Sequence, residues 1–456
     1  MPLSVVILAA GQGKRMRSRL PKVLQPLAGR PMLAHVIERA RSLAADGIHV
    51  VVGHGGDAVR AAFDDESLSW HVQAQQLGTG HAVAQALPAI PDDHQVLVLC
   101  GDVPLIGMLA LEALVGAGKG ANLSLLTAEI SEPAGYGRIL RGLDGGVIGI
   151  VEEADATDEQ RLITEINTGL MAGNAARLRD WIDRLDQGNA QGEFYLTDVV
   201  THAVDDGETV VGVKIEDASE ALGINDKLQL AAAERNLQSR FAEVLMRSGV
   251  TIADPKRIDV RGELSVGTDV FIDVNTLFVG DVALGDGCRI GPNAVIKDSR
   301  IGDGTEIFAN SVIEDSDIGR DCKIGPFARM RPETVLSDRV KIGNFVETKN
   351  SEIGVGSKVN HLSYVGDSTI GSHVNVGAGT ITCNYDGAKK YRTTIGDDVF
   401  VGSGAILVAP IEIGSGAYVG AGSTLTKDAP AGELSLARSR QTSISGWKRP
   451  EKKPSK

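Results

Sequence analysis

Between residues 4 and 24 the chain reads SVVILAAGQGKRMRSRLPKVL: an apolar run, then Gly11 and Gly13, then Lys14, Arg15, Arg17, Arg19 and Lys22. Glycines let backbone N–H groups approach a phosphate closely, and the cations neutralise its charge. Two familiar phosphate loops do not fit. The dinucleotide fingerprint needs a third glycine where Met16 stands. The P-loop needs a glycine at Leu8 and a hydroxyl residue at Arg15. The better account is a loop where a nucleoside triphosphate meets a sugar phosphate, with Arg15 and Lys22 offsetting the charge. Asp102, after the apolar run QVLVLC, supplies the kind of carboxylate that Mg²⁺ takes together with phosphate oxygens and water. Singly, a Gly-Asp pair is more often a strand-end turn, and a basic run a solvated face.

A second set of reactive side chains lies far along the chain. NFVETKN carries Glu347 and Lys349, NHLSYVGDS carries His361 and Tyr364, and NVGAGTITCNYDG carries Asn375, Asn384 and Tyr385. A histidine oriented by a carboxylate is suited to take a proton from an amine near neutral pH. Arg331, Lys349 and Tyr364 are of the types that bind a phosphate. The bland reading of a lone histidine here is a polar exterior residue. His361 and His373, without HxxxxH spacing, also fall short of the three-histidine metal site of gamma-class carbonic anhydrases.

The elements that must hold these groups differ between the two halves. In the first, SVVILAA, GIHVVVGH, QVLVLCGDVPL, ANLSLLTAEI and GVIGIVEE read as strands, while PMLAHVIERARSLAA and GTGHAVAQAL have helical spacing. This rhythm predicts a Rossmann-like α/β domain with a mostly parallel sheet. Its crevice lies beyond the strand C-termini, where Gly11–Lys14 and Gly101-Asp102 should meet. Residues 227–249 predict a linker helix with Leu230, Leu237, Phe241 and Val244 on one face and Gly249 as its C-cap. From about residue 252, aliphatic–glycine pairs recur six apart (Ile318 and Ile324, Ile370 and Val376, Ile395 and Val401, Ile413 and Val419) or eighteen apart (Ile324 and Ile342). Six residues per face and eighteen per turn predict a left-handed parallel β-helix of hexapeptide repeats, interrupted by a loop at Asn384–Thr393. The predicted domains are thus 1–226, the helix 227–249, and 250–456.

Bulk properties narrow the function. A net charge of -13 argues against nucleic-acid binding, which rests on many Lys/Arg–phosphate contacts. The chain has 4 cysteines and none forms a CxxC pair, which points to a reducing cytoplasm rather than a disulfide scaffold. The first apolar run has its charges after it, the reverse of a secretory signal, and no run is long enough to insert in a membrane.

In combination, LAAGQGKRMRSRLPK resembles the sugar-nucleotidyltransferase signature LxxGxGTRM followed by PK. QLGTGHA, GDVPL, GYGRI, IVEEADAT, EINTG, NAQGEFYLTD and GINDKLQL follow in the order seen in bacterial N-acetylglucosamine-1-phosphate uridyltransferases. The resemblance implies UTP contacts from Leu8, Ala9, Ala10, Gly11, Gln73, Gly78 and Thr79, and sugar contacts from Gly137, Glu152 and Asn167. It further implies Mg²⁺ held by Asp102 and Asn225, phosphates met by Arg15 and Lys22, and in-line attack that releases pyrophosphate. Lys14 stands where the signature has Thr, and Cys100 where better-known relatives have Tyr.

From about residue 250 to SGWKRP the chain is similar to the glucosamine-1-phosphate N-acetyltransferase half of the same bifunctional enzymes, above all in HLSYVGD and GAGTITCNYDG. This implies His361 as base with Glu347 orienting it, and glucosamine-1-phosphate bound by Arg331, Lys349, Tyr364 and Asn375. It implies acetyl-CoA contacts from Ala378, Asn384, Tyr385, Ser403, Ala421 and Arg438, with Asn384 and Tyr385 shared with the sugar phosphate. A cytoplasmic homotrimer with its site between subunits is expected, and the basic tail WKRPEKKPSK either is solvated or covers a neighbour's site. The expected function is synthesis of UDP-N-acetylglucosamine, feeding peptidoglycan and lipopolysaccharide precursors. The open alternatives are a nucleotidyltransferase of other specificity with a purely structural β-helix, and a non-catalytic scaffold.

Overall fold

The computed structural model describes residues 1–119 and 123–450. Ala121 and Asn122, which open the run ANLSLLTAEI, and the basic tail from 451 onward lie outside the described residues. The chain forms two compact units that divide between Leu237 and Gln238.

The first unit is built on nine strands: β1 (Leu3–Ala9), β2 (Gly47–Val52), β3 (Leu68–Val72), β4 (Gln95–Cys100), β5 (Leu123–Glu129), β6 (Arg138–Arg141), β7 (Val147–Val151), β8 (Glu165–Asn174) and β9 (Val210–Lys214). The main path runs β9-β5-β8-β4-β1-β2-β3, and the hairpin β6–β7 branches from β8. Strand β1 pairs in parallel with both β4 and β2. Its Val5 and Ile7 pack with Leu33, Val36 and Ile37 of the helix Met32–Ser42, while Val6 packs with Val83 and Ala86 of the helix Thr79–Ala86. Burial on both faces is why β1 reads as an unbroken apolar run. Along the main path one strand departs from the parallel rhythm: β8 runs antiparallel to β4 and β5, and the branching hairpin β6–β7 is antiparallel as well. Residues 152–164, which include the four-residue helix Asp158–Arg161, connect β7 to β8.

In the second unit two- and three-residue strands stack in parallel ladders. Arg289 pairs with Glu306, Glu306 with Lys323 and Lys323 with Lys341, so a coil takes 17 or 18 residues rather than a fixed eighteen. Asn375 pairs with Phe400, the longer step that accommodates the excursion after Asn384, which closes on itself through a Tyr385–Lys390 bridge. Ile290, Ile324, Ile342, Val401, Ile413 and Val419 fill the interior of the prism, whereas Val266, near its start, is only partly buried. The following glycines answer a steric demand. A Cβ on Gly343 would stand 1.9 Å from the Asn360 carbonyl oxygen on the next coil.

The helix Lys227–Arg247 carries the division between the units. It buries Ala233 and Leu237 in its first part, and Ala242 and Leu245 in its second. The buried stripe therefore rotates by roughly a third of a turn along the helix. That rotation corrects one expectation: Val244 is 65% exposed and Leu245 takes the inward place.

On β2, His49 is buried and its Nδ1 lies 3.0 Å from His71 Nε2 on β3. Burial, then the charges of His71 and His94, lowers the His49 pKa to about 4. The unfolded chain therefore binds this proton from about pH 6.5 downward while the folded chain refuses it until about pH 4. Stability present above pH 6.5 should be lost progressively between those values, by up to about 3 kcal/mol from His49 alone. Thermal melts of wild type and His49→Val at pH 7 and pH 4.5 test this. The wild type should lose more on acidification than the variant, and parallel losses would contradict it.

Candidate active sites

Because β1 and β4 are parallel neighbours, their C-terminal loops emerge side by side, and Gly101 N–H donates to the Leu8 carbonyl at 2.9 Å. Gly13 closes the first loop at φ 60°, with a would-be Cβ only 2.6 Å from Lys22 Cβ. Gly11 differs: a Cβ there would meet no protein atom, so packing alone does not explain it. Around these loops lies a cleft of about 780 Å³. Leu8, Ala9, Ala10, Gly11, Arg15, Lys22, Gln73, Gly78, Thr79, Asp102 and Asn225, to which the resemblance gave nucleotide, phosphate and metal roles, all line it. So do Gln12, Lys14, Gln76, Cys100, Gln191 and Glu193, to which no contact had been given. The motif NAQGEFYLTD already held Gln191 and Glu193.

The far wall is locked by backbone contacts. Phe194 N–H donates to the Leu77 carbonyl at 2.8 Å, Gly80 N–H to the Phe194 carbonyl at 2.9 Å, and Leu196 N–H to Thr79 Oγ1 at 3.1 Å. Gly78, at φ 118°, leaves no room for a side chain, since its Cβ would lie 2.5 Å from the Phe194 carbonyl oxygen.

At the strand ends Lys22 Nζ donates to Asp102 Oδ2 and, at 2.7 Å, to Asn225 Oδ1. A carboxylate and an amide oxygen thus converge on one cation-sized point at the cleft, a hard oxygen set of the kind Mg²⁺ accepts when phosphates complete its shell. Beside them the Cys100 thiol is pushed up to about 12 by burial and by Asp102, so it lines the cleft as a neutral group.

Gly137, Glu152 and Asn167 form a separate cluster outside that lining. Asn167 N–H donates to the Gly137 carbonyl at 2.8 Å. A Cβ on Gly137 would lie 3.3 Å from the Glu152 carboxylate. Thr197, a partner the sequence reading missed, donates to Glu152 Oε1 at 3.0 Å. Burial raises the Glu152 pKa, and the Thr197 hydrogen bond opposes the rise.

In the second unit one corner of the prism gathers the reactive groups. Successive coils are tied by Leu362 N–H to the Asn344 carbonyl, Gly379 N–H to His361, Gly404 N–H to Ala378 and Gly422 N–H to Ser403. Asn344, His361, Ala378, Ser403 and Ala421 therefore rise in one column, spaced about 4.8 Å per coil. Arg438 Nη1 caps it by donating to the Ala421 carbonyl at 2.7 Å. The residues that follow change character along the column, from Phe327, Phe345 and Leu362 to Gly379, Gly404 and Gly422. Above His361 the corner is bare backbone.

The partner of His361 is not Glu347. The Glu347 carboxylate accepts from Arg331 Nη1 at 2.8 Å, and this ion pair raises the Arg331 pKa. His361 Nδ1 instead meets Asn344 Oδ1 at 2.8 Å. An amide oxygen only accepts, so Nδ1 carries the proton and Nε2 keeps its lone pair outward. Tyr364 pairs across the strand with Glu347. Asn384 donates to Asp367, which also accepts from Asn350 at 2.5 Å. Lys349 meets Lys390 from the excursion loop, and the second ammonium lowers the Lys349 pKa. Asn375 lies on the adjoining ladder between Lys358 and Phe400, and Tyr385 is exposed with its hydroxyl on the Gly387 carbonyl at 2.6 Å. Asn344, Asp367 and Lys390 are thus additions that the sequence reading did not make.

Comparison with known proteins follows the same division. The MobA-like NTP transferase domain family matches residues 5–143, the GMPPB C-terminal domain residues 260–346, and the bacterial transferase hexapeptide family residues 392–427. The bifunctional protein GlmU of Alkalilimnicola ehrlichii is 57% identical over 452 residues, covering 99% of this chain and 97% of its own. That of Aromatoleum aromaticum is 58% identical over 451 residues, 99% of each chain, and that of Azoarcus sp. 57% over 450 residues, 99% of this chain and 100% of its own.

The Asn344 contact makes a spectroscopic prediction. In ¹⁵N-histidine-labelled protein, neutral His361 should be in the Nδ1–H form, and Asn344→Leu should shift it toward a mixture of tautomers. An unchanged ¹⁵N pattern in the variant would mean that Asn344 does not set the ring.

Proposed function

The chain belongs to the bifunctional GlmU family, and from that premise we propose how its residues divide the synthesis of UDP-N-acetylglucosamine between two sites. The hexapeptide half acetylates glucosamine-1-phosphate with acetyl-CoA. The nucleotidyltransferase half then joins N-acetylglucosamine-1-phosphate to the uridylyl group of UTP and releases pyrophosphate.

For uridylyl transfer, the convergence of Lys22, Asp102 and Asn225 beside a triphosphate-sized cleft carries the reading. Asp102 and Asn225 hold Mg²⁺, which when bound neutralises charge on the phosphate oxygens. Leu8–Gly11, Gln73, Gly78 and Thr79 hold the nucleotide, Arg15 and Lys22 meet the phosphates, and Gly137, Glu152 and Asn167 hold the sugar. No protein nucleophile is needed, since phosphoryl-type transfer is served by positioning and charge neutralisation.

For acetyl transfer, His361 Nε2 takes the proton of the attacking amine while Asn344 holds the ring. Arg331, Lys349, Tyr364 and Asn375 bind the sugar phosphate, with Lys390 adding a cation. The thioester arm runs along Ala378, Ser403 and Ala421, where glycines keep the corner open, with Arg438 beyond and Asn384 and Tyr385 alongside. The working form is a homotrimer, a reading supported by the corner next to His361. There Phe327 and Phe345 stack at 5.4 Å while 49% and 56% exposed, and Leu362 is 64% exposed. Such an apolar patch favours a covering partner. The setting is cytoplasmic, which suits its substrates and its four free cysteines.

A coupled assay with glucosamine-1-phosphate, acetyl-CoA and UTP separates the halves. His361→Ala should slow acetyl transfer by about 10²-fold or more while uridylyl transfer stays near wild type. Asp102→Ala should do the reverse, stopping pyrophosphate release and sparing acetyl transfer. Survival of both reactions in His361→Ala would remove the acetyltransferase assignment, and full pyrophosphate release by Asp102→Ala would remove the other.

A further inference from the structure

Gln73 directly follows β3 and is 3% exposed, and its backbone N–H is tied to the Val52 carbonyl at 2.8 Å. Its side-chain amide lines the cleft, and the amide nitrogen makes two contacts: 2.9 Å to the Gly78 carbonyl and 3.1 Å to His81 Nδ1. A carbonyl oxygen cannot donate, so the Gln73 atom facing Gly78 must be the nitrogen. Its second proton then points to His81, whose Nδ1 must accept it, which places the imidazole proton on Nε2. Both amide protons are engaged. The oxygen is the one polar atom of this side chain left for the cleft.

The two ends of an amide have nearly the same shape, so packing does not decide which faces the base. Only what each end can donate or accept decides it. His81 is itself held in place. It lies in the first turn of the helix Thr79–Ala86, tilted against Phe194 at 6.4 Å, and its carbonyl accepts from Gln85 at 3.0 Å.

We propose that His81 is a positioning residue for nucleotide choice: by accepting from Gln73 it keeps the amide oxygen toward the base edge, which selects uracil over cytosine. The proposal rests on the uridine-site reading above. Uracil offers N3–H, which an amide oxygen accepts. Cytosine offers a bare N3 lone pair at the same place, which the oxygen repels. Thymine shares N3–H with uracil, so the device separates UTP from CTP and not UTP from dTTP. Discrimination of this kind combines an attractive contact for one ligand with a repulsive one for the other.

The test compares kcat/KM for UTP and CTP, with N-acetylglucosamine-1-phosphate and Mg²⁺, in wild type, His81→Asn and His81→Lys. Acetyl transfer by the same chain serves as the folding control. Asn can still offer an acceptor, so His81→Asn should keep the UTP/CTP ratio within about threefold of wild type. Lys offers only donors and opposes the amide nitrogen that the Gly78 carbonyl holds, so His81→Lys should loosen the amide's orientation and lower the ratio about tenfold or more, on the scale of one hydrogen bond exchanged for a repulsion. Equal losses with UTP and CTP in His81→Lys would show a merely structural role and overturn the proposal, as would a collapsed ratio in His81→Asn. A wild type that uses UTP and CTP equally would sink the proposal and leave the uridylyl reading standing. A wild type that releases no pyrophosphate from UTP would sink both.

Discussion

Backbone packed directly on backbone is the constraint on which both units depend. In the prism each coil lies on the next so closely that Gly343 has no room for a Cβ below Asn360. In the first unit the turn at Gly78 is pressed against Phe194 in the same way. Contact at this range leaves side chains little freedom to choose their height or direction. A reactive group placed on such a frame inherits its position from the strand register, which is the precision that catalysis by positioning needs. It also accounts for a chain with 55 glycines and only 4% aromatic residues. The frame needs close approach more than large side chains.

That dependence explains which features could be read from the sequence. The apolar runs of the first half and the aliphatic–glycine pairs of the second are direct images of burial, so the prism, the excursion loop and five of the nine strands were legible, while β3, β6, β8 and β9 were not read. The cleft residues were legible through motifs: eleven expected positions, from Leu8 to Asn225, line one cavity. The antiparallel β8 was not anticipated, because its direction is set by its pairing with β4, β5 and β6, not by its composition. Val244 was misplaced for a similar reason. A single helical stripe assumes one packing surface, and this helix buries different faces before and after Leu237.

The mistaken partner of His361 is the more instructive case. Glu347 was chosen by type, a carboxylate being the expected companion of a basic histidine. The ladder chooses by spacing: Asn344 is cross-strand neighbour to His361, and Glu347 is neighbour to Tyr364. The repeat predicted eighteen residues per turn, which counts back from His361 to Gly343, whereas the 17-residue step of this coil arrives at Asn344. Lys390 had no such signal. It sits on the excursion, where the repeat gives no register and only the Tyr385–Lys390 bridge brings the strand back.

The electrostatics of the two sites share a logic that neither sequence motif displayed. Both handle phosphates, yet the chain carries a net charge of -13. In each site a key cation is already paired with a carboxylate, Lys22 with Asp102 and Arg331 with Glu347. Such pairing fixes a long, flexible side chain in place before substrate arrives and reduces the ordering cost on binding. It also weakens the net attraction for any single phosphate, because the anion must share its cation with a fixed carboxylate. A site that must release pyrophosphate or an acetylated sugar phosphate after each turnover gains from that moderation. Binding strength given up in the ground state costs little rate when the same cations can meet the charge that develops during transfer.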